Sequence, residues 1–238
     1  MTNPIKKEKV VGILGGMGPE ATIDLMQRII RLTPALDDID HIRCIVDNNP
    51  KVPSRIKAII EKDGEDPGPA MADMGKRLEA FGADFLVIAC NTAHYYYDAI
   101  QEAVRIPVIN LIDLVTQHIK TNFPEHDKVG ILASPAVAMT GLYSKRFKML
   151  DIKDIWPDHD YQENLLSIIK EIKKGDTGAN VRSKYQAVCN NLFDKSVEIV
   201  IIACTELSAL GVELPITAID AAEVLATEIV QVAKNTKP

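Results

Sequence analysis

The feature that most constrains this chain is a short pattern that occurs twice. Residues 84–94 read DFLVIACNTAH, and residues 198–207 read EIVIIACTEL. Each is an unbroken apolar run that ends in cysteine and passes at once into threonine, directly or after asparagine. Uninterrupted apolar runs of this length are strands buried on both faces, the signature of parallel sheets. Asn91, Thr92 and Thr205 then read as helix-start residues. Cys90 and Cys204 are therefore expected at the carboxyl ends of two equivalent strands, where open α/β sheets bind their ligands.

The copying extends beyond these two segments. KVGILAS at 128–134 echoes VVGILGG at 10–16, and LPITAID at 214–220 echoes IPVINLID at 106–113. Gly130 stands 118 positions after Gly12, Cys204 114 after Cys90, and Pro215 108 after Pro107. Three matches in one order, at slowly shrinking offsets, indicate duplication with deletions between elements. Strands are expected at 10–14, 42–46 and 106–110, with helices from Pro19 to about Leu32, at 71–81, and through Ala99 to Val104. Alternating strands and helices imply parallel sheets with right-handed crossovers. The expected fold is α/β, two similar lobes, each a parallel sheet flanked by helices. The lobes are 1–113 with 220–238, and 114–219. Facing strand ends would set the two cysteines on opposite walls of one cleft.

Composition narrows the chemistry. The 238 residues are 47% hydrophobic, enough for a substantial core, and the net charge of −6 argues against general nucleic-acid binding. An anionic ligand would need local basic residues or helix N-termini. Four cysteines without a C-x-x-C pair suggest neither a zinc ribbon nor a redox motif, and no metal is expected. The first residues, MTNPIKKEK, lack a secretory apolar stretch, and no segment is long enough for a membrane span. A reduced, cytoplasmic setting is expected, with free thiols.

Buried cysteine is most often a small hydrophobe, the reading for Cys44 inside a strand and Cys189 on a helix. Cys90 and Cys204 differ because core packing does not demand one residue at one strand end in both halves. A helix start beside a thiol favours thiolate. A thiolate and a thiol across a cleft can remove a proton from one face of a carbon and supply one to the other. Backbone N–H groups of Asn91, Thr92, Ala93, Thr205 and Glu206 would stabilise the charge that develops on an adjacent carboxylate. Gly16-x-Gly18-x-x-Ala21 with Asp47 also fits a dinucleotide fingerprint, but leaves the paired cysteines unexplained. The same loop, with Met17 inside it, is a candidate for holding a small carboxylate. Arg55 suits bidentate carboxylate binding or a solvated loop. Lys173 is a carboxylate partner or a helix-end charge, and His94 a thiol neighbour or a packing residue. Glu206 alone reads as a residue favouring the helix dipole.

These residues resemble the aspartate/glutamate racemase family, most closely its cofactor-independent aspartate racemases. GILGGMGPEAT (12–22), NNPKVPSR (48–55), GEDPGP (64–69), CNTAH (90–94) and CTELSA (204–209) carry the resemblance over nearly the whole chain. It implies two lobes about a pseudo-two-fold axis, no cofactor, a homodimer, and Cys90 and Cys204 as opposed acid/base thiols. It implies that Asn91, Thr92 and Thr205 meet the α-carboxylate and ammonium, with Arg55 and Lys173 on the acidic side chain of aspartate. Three departures bear on substrate choice, the first being Ser54 and Ile56, which flank Arg55 where relatives commonly carry an aspartate and a threonine. Ser134 is the sole hydroxyl in 134–137, where relatives carry several threonines, and Glu206 stands where glutamate racemases usually have histidine. A broad-specificity racemase, a related decarboxylase or isomerase needing one cysteine, and a non-catalytic amino-acid sensor are the alternatives.

Overall fold

The computed structural model describes residues 8–208 and 210–235. The leader expectation for the first seven residues, the Ala209 end of CTELSA and the outermost ends of the first lobe lie outside them. The first half contains β1 (Val11–Gly15), α1 (Pro19–Leu32), β2 (Cys44–Asn48), α2 (Gly68–Ala80), β3 (Phe85–Ile88), α3 (Tyr97–Ala103) and α4 (Leu111–Asn122). The second contains β4 (Lys128–Leu132), α5 (Pro135–Thr140), α6 (Leu142–Met149), β5 (Lys153–Ile155), α7 (His159–Ile172) and α8 (Ala179–Phe193). It continues with β6 (Ile199–Ile202), α9 (Thr205–Ser208), β7 (Thr217–Asp220) and α10 (Ala221–Ala233).

Both sheets are parallel, ordered β2-β1-β3 and β5-β4-β6-β7. The fourth position of the first sheet is occupied by one bridge, Leu86 to Val108, held by Leu86 N–H to the Pro107 carbonyl and Ile109 N–H to that of Leu86. The strand expected at 106–110 is thus reduced to a single pairing, after which Asn110 serves as the N-cap of α4. Its repeat counterpart β7 pairs over four residues with β6. With that substitution the two strand orders are the same, as a duplication requires.

Side-chain parity explains the layering. Val11, Ile13, Phe85 and Val87 of one sheet and Val129, Ile131, Ile199 and Ile201 of the other point into one shared core with α1, α4, α6 and α10. The alternate residues Leu14, Leu86 and Ile88 pack against Met71, Met74, Leu78 and Ile100 of α2 and α3. Leu132 and Val200 pack against α7 and α8. The repeated glycine has a steric cause in both copies. A Cβ on Gly12 would fall 2.5 Å from Leu86 Cδ2, and one on Gly130 2.9 Å from Val197 Cγ1. In both lobes a crossover helix closes down over this point. Continuing the parity, Ala89 and Ala203 face the shared core while Cys90 and Cys204 turn to the opposite, mutually equivalent faces.

Boundaries depart from the sequence reading at identifiable places. α2 begins three residues before the expected start because Pro69 is tolerated in a first helical turn. The helix expected directly after Cys90 is a 3-10 turn, Thr92–Tyr96, before α3 begins at Tyr97. Lys57–Glu61 forms a turn of π-helix that periodicity did not suggest. Among the described residues no helix is long and apolar enough to cross a membrane.

Candidate active site

The carboxyl ends of β3, β4 and β6 converge on a cavity of about 310 Å³. Its lining includes Met17, Arg55, Cys90, Asn91, Thr92, Ser134, Lys173, Cys204, Thr205 and Glu206. Ala93 is the exception among the expected site residues. It is fully buried, backbone included, in the core beneath β3 and does not line the cavity.

The walls are tied together by polar contacts between the halves. Tyr143 on α6, fully buried, donates its hydroxyl to Asn91 Oδ1 at 2.7 Å. Thr92 Oγ1 and Ser134 Oγ lie 3.1 Å apart and share a hydrogen bond. These contacts fix the first turn after Cys90, whose N–H groups have no partners within their own helix.

On the other wall, the Cys204 thiol donates to Glu206 Oε2 at 3.2 Å, and the Thr205 hydroxyl reaches the same oxygen at 3.4 Å. Burial first, and the Glu206 carboxylate second, push the Cys204 thiol well above the ordinary cysteine range. This reverses the expectation that a helix start would lower it. α9 is a four-residue turn with little dipole, and a carboxylate stands between it and the cleft.

Lys173 caps the carboxyl end of α7 and sets Nζ 3.2 Å from Glu206 Oε1. The approach lacks hydrogen-bond alignment, so Oε1 keeps acceptor capacity. Burial works to lower the lysine, but Glu206, Cys90 and Cys204 together outweigh it and hold Lys173 as a cation. One ammonium is thus within electrostatic reach of both thiols. Arg55 gives Nη1 to the carbonyls of Pro53 (3.0 Å) and Val52 (3.5 Å), and Nη2 to that of Met17 (3.2 Å). Its Nε is enclosed without a partner. Nε and the unused Nη2 hydrogen are donors left for an incoming oxygen.

For His94, Cys44 and Cys189 the packing reading holds. His94 does not touch the thiol: Nδ1 lies 2.8 Å from the Cys90 carbonyl oxygen, and Nε2 accepts from Leu111 N–H at 3.1 Å. Tyr97 donates to the Val108 carbonyl, and Tyr95 and Tyr96 meet edge to face, so this run packs locally. Burial raises Cys44 to about 11 and Cys189 to about 12, making both inert at neutral pH.

The glycine loop has packing reasons for its composition. Gly16, at φ +86°, would bring a Cβ within 2.5 Å of the Asn49 backbone. Thr22 Oγ1 accepts from Gly16 N–H and donates to the Gly18 carbonyl. Asp47, the candidate ribose ligand, is paired with Arg77 at 3.1 Å.

Some lining residues were not singled out from the sequence. Leu166, Ile169 and Lys170 lie with Lys173 on one stripe of α7 at positions i, i+3, i+4 and i+7, a spacing that reveals them once Lys173 is suspected. Lys57 and Glu61 enter through the π-helical turn and carry no comparable signal, whereas Ser54 and Ile56, the departures beside Arg55, line the same cavity.

Two parallel-sheet lobes built on one repeat are the architecture of the amino-acid racemases, which are isomerases. The chain matches the family described as Asp/Glu/Hydantoin racemase over residues 14–229, and it belongs to that family. It is similar to the Picrophilus torridus aspartate racemase structure, at 31% identity and a TM-score of 0.85, with 94% of each chain covered. It is 28% identical to the broad specificity amino-acid racemase RacX of Bacillus subtilis, across 93% of this chain and 96% of that protein. Glutamate racemase isoform RacE1 from Bacillus anthracis shares the fold at a TM-score of 0.69 and 21% identity, over 97% of this chain and 83% of that one.

Proposed function

We propose that this protein interconverts L- and D-aspartate without a cofactor, by proton transfer between Cys90 and Cys204. The observation that carries the reading is that both thiols line one small cavity with the Lys173 ammonium in electrostatic reach of each. In one direction the Cys90 thiolate removes the α-proton while the Cys204 thiol protonates the other face; in the reverse direction the roles exchange. The pair titrates as a unit. Glu206, which accepts the Cys204 proton in a hydrogen bond, favours the thiol form on that side at rest. The first-turn amides after each cysteine stabilise negative charge developing on the α-carboxylate. The unpartnered Arg55 Nε and the Lys173 ammonium are cationic groups for the side-chain carboxylate, supporting an acidic substrate. A cavity of about 310 Å³ lies at the small end for ligand sites, in keeping with an amino acid.

The reading includes a cytoplasmic homodimer and lobes at 1–113 with 220–238, and 114–219. The packing of α10 against α1, with Arg28 joining Asp220 and Glu223, supports the return of the C-terminus to the first lobe. A second reading, a broad-specificity racemase using the same thiols, draws on the apolar wall of Ile56, Leu166 and Ile169, which would accept a neutral side chain.

The test is incubation of each aspartate enantiomer in D₂O without added pyridoxal phosphate or nicotinamide. NMR follows α-deuteration, and chiral chromatography follows the product. Racemisation with solvent deuterium is expected, and Cys90→Ser and Cys204→Ser should each reduce it by at least ~10³-fold, the scale of losing a general acid/base. Faster turnover of neutral or basic amino acids favours the second reading. Binding of aspartate without α-exchange refutes the aspartate reading, and absence of α-exchange with neutral or basic amino acids as well refutes both.

A further inference from the structure

In each half, the residue four positions after the cysteine joins that cysteine's carbonyl to the start of the next long helix. In the first, His94 is almost fully buried, with Nδ1 2.8 Å from the Cys90 carbonyl oxygen. Its Nε2 accepts the N–H of Leu111, the first residue of α4, whose next two amides are capped by Asn110. Because Nε2 accepts, the ring proton sits on Nδ1 and is donated to Cys90. In the second half, Ser208 Oγ lies 3.0 Å from Oδ1 of Asp220, the N-cap of α10, and 3.4 Å from the Cys204 carbonyl oxygen. A hydroxyl has one proton, so Ser208 divides its donation where His94 makes both bonds at once. The Cys204 carbonyl also accepts the Leu207 and Ser208 N–H groups at 3.1 and 3.2 Å, so the Ser208 hydroxyl is a third and minor hold on it, and the second brace is the weaker.

The bonded atom matters because the peptide unit is planar and trans. The Cys90 carbonyl belongs to the same rigid unit as the Asn91 N–H, which points the opposite way. Holding the oxygen on the imidazole fixes the direction of that N–H on the far side of the plane, and Cys90 and Asn91 both line the cavity. Cys204 and Thr205 stand in the same relation. A core histidine chosen only for packing has no need to engage the carbonyl of the cysteine.

We propose that His94 and Ser208 are paired positioning residues, each setting the peptide angle of one reactive cysteine and the direction of the following amide N–H. The proposal rests on the two-thiol reading. It makes a prediction that a general loss of stability does not. Enantiomers have equal free energy, so kcat/KM falls equally in both directions whichever brace is damaged. Damage to one brace, however, makes the proton transfer at that cysteine the more rate-limiting of the two. The deuterium isotope effect on kcat/KM then rises for the enantiomer whose α-hydrogen that cysteine removes, and falls for the other.

The experiment measures racemisation of L- and D-[2-²H]aspartate by the unaltered protein, His94→Asn, His94→Gln and Ser208→Ala, with thermal unfolding of each. Asparagine can supply the Nδ1-like donor to Cys90; glutamine can supply the Nε2-like acceptor to Leu111. His94→Asn is expected within about threefold of the parent rate, and His94→Gln about tenfold or more below it, the scale of one hydrogen bond. In His94→Gln the two isotope effects diverge. In Ser208→Ala, which removes one hydroxyl from a half-buried site, they diverge in the opposite sense and by less. Isotope effects that stay at parental values in an active protein, or that diverge in the same sense in both variants, overturn the proposal. If His94→Gln does not fold, parental isotope effects in Ser208→Ala overturn it alone. Absence of α-exchange in the unaltered protein overturns the two-thiol reading, and this proposal with it.

Discussion

Acidification gives a quantitative test of how His94 is held. Burial is the main force pulling its pKa from 6.5 to about 4; its Cys90 and Asn91 backbone partners and Asp113 oppose the shift, and the Arg146 charge adds to it. A proton arriving on Nε2 would also confront the Leu111 N–H that now donates to it. The folded protein therefore binds fewer protons at this site than the unfolded chain between these two pH values. The sign follows from linkage: where the unfolded state holds more protons, stability falls as pH falls. The contribution is complete above about pH 6.5 and is lost progressively down to about pH 4. At about 1.4 kcal/mol per pH unit, the total is roughly 3 kcal/mol. Carboxylates elsewhere titrate in the same range, so the measurement must be a difference. Urea unfolding of the parent and of His94→Asn at about pH 7.5 and about pH 4.5 isolates the histidine, and the parent should lose roughly 2–3 kcal/mol more than the variant. Equal losses would refute the neutral, doubly bonded imidazole, and with it the account of how Cys90 is braced.

Two further outcomes follow from buried polar contacts. Tyr143→Phe leaves Asn91 Oδ1 without its donor in a dry setting and should cost about 1–3 kcal/mol, read as a lower unfolding midpoint, with a raised KM as the first turn after Cys90 loosens. Arg28→Met removes the group that binds Asp24, Asp220 and Glu223 at 2.7–2.9 Å from a largely buried position, leaving Asp24 and Asp220 without a cationic partner and Glu223 with only the exposed Arg31. Breaking a fully buried pair costs about 3–5 kcal/mol; since these acids partly reach solvent, roughly 2–3 kcal/mol is expected in denaturant unfolding at neutral pH. No change would mean the cluster is solvated and carries no stability.

Sequence reasoning reached furthest where the physical rule was local and periodic. Runs such as 85–88 and 199–202 could be read as strands because both faces are covered, and the structure places both within parallel sheets. The repeat predicted two similar parallel-sheet lobes, and the two sheets share one strand order apart from the single bridge at Val108. What stayed hidden depends on partners remote in sequence. Nothing near Cys204 indicates that burial and Glu206 override a helix start, since burial belongs to the assembled fold. Nothing near Asn91 announces Tyr143, 52 positions away. Cys44 and Cys189, chemically the same as the other two, could be set aside only because they lack a repeat partner.

A catalyst that must serve two mirror-image substrates has a particular need for a duplicated backbone, and a particular freedom in how it decorates it. On the proposed mechanism the reacting carbon is approached from two sides, so each side requires a thiol at a strand end with amides beside it. A gene duplication delivers that arrangement in one step. The side chains around the thiols need not match. Cys90 is attended by Asn91, Tyr143 and His94, and Cys204 by Glu206, Lys173 and Ser208. Because the enantiomers are equal in energy, such asymmetry cannot bias the final mixture. It can only change which thiol holds the proton at rest and which transfer limits the rate. The side of Cys204 is therefore free to carry Glu206 and the Lys173 ammonium, while the side chains that hold the first turn after Cys90 (Asn91, Tyr143 and His94) are neutral and hydrogen-bonded. The divergence of the two halves outside the cysteine motifs is the form that freedom takes.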